Sequence, residues 1–125
     1  MNQSKPYQEK REKPWGHEII YVEPGLPYTG KVEYIKAGCR LSLQYHDVKE
    51  ESLMLLSGKV LLWLGEIGGE IEKKAMVPLK GYHIGVNKVH RLEALEDSMV
   101  LEASTAEGGT TFRIEDDYSR DHERR

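Results

Sequence analysis

The sequence predicts an all-β domain, a sandwich or a barrel, on three observations. Short segments rich in β-branched and aromatic residues recur along the chain. Turn clusters containing glycine and proline separate them, and no long amphipathic helical period is present. Gly16 to Val22 is the first predicted strand and stops at Glu23-Pro24-Gly25-Leu26-Pro27. Gly30 to Ala37 follows, bounded by Gly38. Arg40 to His46 alternates strictly, with Leu41, Leu43 and Tyr45 on one face and Ser42, Gln44 and His46 on the other. Ser52 to Leu56 and Lys59 to Leu64 flank Ser57-Gly58, which reads as a hairpin turn. Gly65 to Gly69 predicts a second hairpin, leading into a polar strand at Glu70 to Ala75. Tyr82 to Val86, His90 to Leu95 and Met99 to Ser104 complete the series.

A chain of 125 residues suits one domain with a sizeable core. Its divisions are expected to be an N-terminal arm over 1–13, a barrel over 14–112 and a charged C-terminal segment over 113–125. The arm is expected to be disordered or packed across a partner. Lys+Arg 18 against Asp+Glu 21 leaves a net charge of −3, which gives no pull toward nucleic acid or an anionic membrane. No apolar run approaches the roughly 20 residues that span a bilayer. Residues 1–13 lack the apolar centre of a secretory signal. One cysteine, Cys39, excludes an internal disulfide and fits a reducing cytoplasm.

One group of residues has the composition of a built site. Gln44 and His46 project from one strand face about 7 Å apart. Glu51 lies a short turn later, where a neighbouring strand can return beside the first, and a further strand can bring in His90. Each residue alone has an ordinary reading: a barrel-lining amide, half-buried imidazoles, a solvated turn carboxylate. The same strand turns Leu41, Leu43 and Tyr45 the other way. If the polar face lines a barrel, that apolar face needs cover, from a second subunit in a homodimer or from the chain itself.

The chain resembles the cupin superfamily, and within it short proteins similar to the C-terminal domain of type II mannose-6-phosphate isomerases. The matching stretches are Lys13-Pro14-Trp15-Gly16, the run Gly38 to His46 (GCRLSLQYH), Glu51, Gly58, the run His90 to Glu93 (HRLE) and the ending Arg113 to Arg120. The resemblance implies a double-stranded β-helix, the jelly-roll barrel, holding a divalent metal on Gln44, His46, Glu51 and His90. Two imidazoles, a carboxylate and an amide oxygen suit zinc first, with manganese, iron, nickel or cobalt as alternatives. Coordination positions left over would take water or sugar oxygens.

The resemblance further implies aldose–ketose isomerisation of a sugar or sugar phosphate. That reaction needs a base, stabilisation of the enediol oxygens and return of a proton. Lys31 matches a lysine of the family pattern, shares a strand face with Glu33 and Ile35, and is the expected proton-transfer residue. Arg113, Tyr118 and Arg120 match the family's C-terminal signature and are the expected substrate-binding residues. Arg91 points away from the metal face and is expected in a structural ion pair, with Glu93 of a neighbour or the acidic tail. The chain departs from the pattern at Ser52-Leu53, at Ile84-Gly85-Val86, over Glu107 to Thr111 and at Ser119. These departures leave the sugar open. The alternative function is a non-catalytic cupin that binds a metal and a carbohydrate.

Overall fold

The computed structural model describes residues 5–106 and 108–118. Those residues form eleven strands and no helix: β1 (Glu9–Lys13), β2 (Gly16–Ile20), β3 (Tyr28–Ile35), β4 (Leu43–His46), β5 (Glu51–Ser57), β6 (Val60–Gly65), β7 (Ile71–Ala75), β8 (Gly81–Ile84), β9 (Val89–Ala94), β10 (Ser98–Thr105) and β11 (Thr111–Glu115). Two antiparallel sheets face each other. One has the order β1-β2-β3-β10-β5-β8 and the other β11-β4-β9-β6-β7. Consecutive strands that change sheet wrap the chain into a jelly-roll barrel.

The inward side of the strands changes character along the barrel. On β3 it runs from Lys31 through Glu33 to Ile35, and on β5 from Glu51 to Leu53 and Leu55. On β9 it runs from His90 to Leu92 and Ala94, and on β10 from Glu102 to Val100. One end is therefore filled by Trp15, Ile35, Leu55, Leu62, Leu92 and Val100 with their neighbours. Each such side chain contributes about 1.5–3 kcal/mol on burial. That apolar plug holds the sheets in register and leaves the opposite end free for charged side chains.

Gly16 shows how tightly the plugged end is built. It sits at φ +151°, and an added Cβ would collide with the backbone carbonyl of Tyr34. Gly16→Ala is expected to lower stability by about 3 kcal/mol through overpacking and backbone strain. The midpoint of urea unfolding checks it.

Three expectations change. Glu9–Lys13, placed in an arm, pairs with β2 from Glu9↔Ile20 to Lys13↔Gly16. Its run of charges hides the strand period because an edge strand need bury little. Ser57-Gly58 does not close a hairpin. β5 and β6 lie in different sheets, and Gly58, at φ +93° against Asp97 and Ser98, turns the corner between them. The hairpin at Gly65 to Gly69 does form, joining β6 to β7. Finally, β11 straddles the expected boundary at residue 112 and pairs with β4. It extends the sheet beside β4: Tyr45 stacks on Phe112 at 4.9 Å between centroids, Leu43 is buried, and Leu41, expected on the same face as Tyr45, joins the interior core instead.

Candidate metal centre

Gln44 on β4 is the direct register partner of His90 on β9, so one sheet presents Gln44, His46 and His90 together. Glu51 arrives from the other sheet. Residues 47–50 cross the open end of the barrel, and Glu51 opens β5 facing the histidines rather than lying beside β4. The turn before β9 is tied to the same spot. Asn87, at φ 64°, donates its backbone N–H to the His46 carbonyl at 2.8 Å.

The three groups converge. One ligand atom from each of His46, Glu51 and His90 lies within 4.8 Å of the others, and all three residues are buried. Glu51 Oε1 is 3.3 Å from His46 Nε2 and 3.8 Å from His90 Nε2. It is buried without a well-formed hydrogen bond. The far ring nitrogens are occupied: His90 Nδ1 donates to the Lys88 carbonyl at 2.9 Å, and His46 Nδ1 meets Thr111 Oγ1 at 2.9 Å. Because a carbonyl only accepts, His90 carries its proton on Nδ1 and aims the Nε2 lone pair inward. Outer hydrogen bonds of this kind orient imidazole ligands. An orphaned buried carboxylate oxygen between two inward-facing Nε2 atoms fits a divalent metal, and Gln44 lines the same cavity.

The charge states agree. Burial pushes the His90 imidazole below its ordinary value, so the ring is neutral near pH 7. Burial alone would raise Glu51. The His46 contact, followed by attraction to His90, which is protonated at the low pH where Glu51 titrates, and to Lys49, outweighs burial and holds the carboxyl at about 2. A neutral imidazole and an ionised carboxylate are the forms that bind a metal.

The cavity holds about 570 Å³ and extends from this group along the polar end of the barrel. Ion pairs run through it. Lys49 Nζ lies 3.8 Å from Glu51 and 3.0 Å from Glu102, while Lys31 Nζ lies 3.9 Å from Glu102 and 3.3 Å from Glu18. Glu33 shares the cavity, and its Oε1 is buried without a hydrogen-bond partner. Burial first, then the charge of Glu102, raises the Glu33 carboxyl to about 8. Burial also raises Glu102, against the opposing lysines.

The structure thus brings Gln44, His46, Glu51, His90, Lys31 and Arg113 to one cavity. Tyr118 does not line it. Its side chain packs against the apolar core, and its backbone N–H donates to Asp116. Arg120 lies outside the described residues, as do Glu107 and Ser119. Arg91 is where its strand parity predicts, outside the metal group. Its guanidinium is fully buried, donates to the Leu41 carbonyl at 2.7 Å, pairs with Glu115 at 3.2 Å and sits 4.9 Å over Trp63. Its ion-pair partner is the acidic C-terminal segment. Sequence reasoning set Glu33 on the Lys31 face without giving it a role, and passed over Glu18, Lys49 and Glu102 as cavity residues. Alternation could have found Glu18 and Glu102, which share inward faces with buried neighbours. Lys49 sits in a crossing loop, where no periodicity exists to mark it.

No protein-family model matches the chain, and no curated protein does. Solved structures do. CapF from Staphylococcus aureus, a capsular polysaccharide assembling protein, superimposes with a TM-score of 0.72 at 20% identity, over 90% of this chain and 33% of that one. Oxalate decarboxylase from Bacillus subtilis gives 0.71 at 16%, over 86% and 30%. KdgF from Halomonas sp. gives 0.68 at 16%, over 80% and 89%. The fold is that of the cupins. The chain spans about a third of the CapF and oxalate decarboxylase chains and most of KdgF. At these identities the likeness concerns the barrel. The chain's own His46, Glu51 and His90 add a metal-type site to it. Among the described residues no helix is long and apolar enough to cross a membrane.

Proposed function

We propose that this cupin isomerises a sugar or sugar phosphate between aldose and ketose at a divalent metal. The observation that carries the reading is shared space. Two side chains able to move protons, Lys31 and Glu33, line the cavity that also holds the His46, Glu51 and His90 group. A bound metal would polarise the substrate carbonyl and hydroxyl.

The chain's own groups have separable roles. Glu33, raised to about 8, has the value near working pH that suits proton abstraction next to a carbonyl. Lys31, set between Glu18 and Glu102, is an ammonium that donates to a substrate oxygen. Arg11, Lys13 and Arg113 line the same cavity and favour an anionic substituent such as a phosphate. This assigns the abstraction to Glu33 and moves Lys31 to a donor role. The test is a heavy-water screen of aldoses and their phosphates with metal-loaded protein. Deuterium is expected next to the carbonyl, with a rate that rises with pH as Glu33 ionises and then levels. Glu33→Gln is expected to remove exchange while leaving metal content unchanged.

A second reading rests on the ion pairs. Lys31 and Lys49 already meet carboxylates, an arrangement that also suits a rigid binding site with no turnover. Ligand-induced thermal stabilisation with no deuterium uptake across the panel would select a carbohydrate-binding cupin and end the isomerase proposal.

A further inference from the structure

A second cavity, of about 290 Å³, adjoins the metal cavity and shares Arg11 and Lys31 with it. Register shows where it lies. Ser104 pairs with Glu51 on one side and with Thr29 on the other, so Thr29 stands level with the metal group, two strands away. At about 4.8 Å per strand that is roughly 10 Å. β2 and β1 carry the row of Lys31 further out, with Ile20 beside Lys31 and Glu9 beside Ile20. The turn from Glu23 to Leu26 forms one wall. The lining is unlike that of the metal cavity. Tyr7 and Tyr28 supply rings, the latter 55% exposed, together with Ile20 and Leu26. Glu9, Glu23 and Thr29 supply polar atoms. The Glu9 carboxylate is fixed by the Tyr7 hydroxyl at 3.2 Å and by Arg11 Nε at 2.9 Å.

We propose that this second cavity binds a neutral sugar ring, so that the whole ligand is a reducing disaccharide with its reducing unit at the metal group. The inference rests on the reading of the metal cavity as a sugar site. Apolar and aromatic walls with a few convergent polar groups are the make-up of small-molecule sites, and the size is close to the lower end of their ~300–1,000 Å³ range. Ionised carboxylates only accept hydrogen bonds, so Glu9 and Glu23 select hydroxyl donors and disfavour a phosphate there. The tyrosine rings offer apolar faces to the C–H side of a pyranose while their hydroxyls stay polar. A sugar whose carbonyl end meets His46, Glu51 and His90 has room to place its far hydroxyls at Arg11 and Lys31, where the two cavities meet. A glycosidic link on one of those hydroxyls leads into the second cavity. Aldose–ketose exchange alters only the first two carbons, so the link stays intact throughout.

Calorimetric titration of metal-loaded protein compares glucose, mannose and their 6-phosphates with the 1,4- and 1,6-linked disaccharides that end in glucose or mannose. At least one disaccharide is expected to bind about tenfold more tightly than the monosaccharide at its reducing end. Tyr28→Ala and, separately, Glu9→Gln are expected to cut that advantage about fivefold with unchanged circular dichroism. The monosaccharide, which stops short of the second cavity, reads the metal cavity separately. Disaccharides that bind no better than their monosaccharides overturn the second subsite and leave the sugar reading of the metal cavity standing. So does an advantage that both variants retain. A panel in which nothing binds overturns both readings.

Discussion

His90→Ala is expected to cut metal affinity at least a hundredfold while the protein stays folded. The ring is buried, supplies one of two inward-facing Nε2 atoms and stands 3.8 Å from Glu51. Removing it leaves one imidazole, one carboxylate and the amide of Gln44. Changes to the groups that only support a metal ligand typically cost 10- to 100-fold, so loss of a ligand itself should cost more. A metal that binds only the folded state stabilises by about 2.7 kcal/mol at a hundred times its dissociation constant. Wild-type protein should therefore melt several degrees higher on adding metal, and His90→Ala should not respond. Dialysis against buffered metal, followed by elemental analysis and melting, reads both effects. The apolar plug begins at Leu92, two residues further along β9, so circular dichroism should be unchanged.

The second large effect is a pH dependence carried by Glu33. Its carboxyl lies at about 8 when folded against 4.5 for the free side chain. Between those values the folded state holds a proton that the unfolded state has released. The unfolding free energy therefore falls as pH rises through that window, by at most about 1.4 kcal/mol per pH unit, and is flat outside it. Glu102 is raised as well and adds a slope of the same sign. Glu51 acts oppositely. Its carboxyl is depressed to about 2, so its contribution is complete above 4.5 and fades as pH falls toward 2. Glu33→Gln keeps the shape and removes the titration. Urea unfolding of metal-free protein should show the variant gaining on wild type by about 1.4 kcal/mol per unit between pH 5 and pH 8. A constant difference across that range would refute the assignment.

The barrel and most of its strands were legible because half-buried strands carry a period of two. Arg40 to His46 is the clearest case, where one alternation aims Gln44 and His46 inward and Tyr45 outward. The signal failed where burial stops alternating. β1 is an edge strand of nearly continuous charge, and β11 has exposed Phe112 and Ile114 on one side and Arg113 on the other. The corner at Gly58 looked like a hairpin because both need a glycine at positive φ. Turn chemistry does not say whether the next strand rejoins its sheet. Within the site, the histidines and Glu51 stood out as metal-binding types. Lys31 and the strand face it shares with Glu33 were also legible, but Glu18, Lys49 and Glu102 were not, because each reads as a surface residue until the opposite sheet closes over it.

Metal content of the purified chain tests the centre most directly. Protein stripped with chelator and dialysed against micromolar zinc or manganese should hold about one ion per chain. His46→Ala, Glu51→Ala and His90→Ala should each hold less than a tenth of that. A wild type that retains none, or ligand variants that retain as much as wild type, would contradict the account.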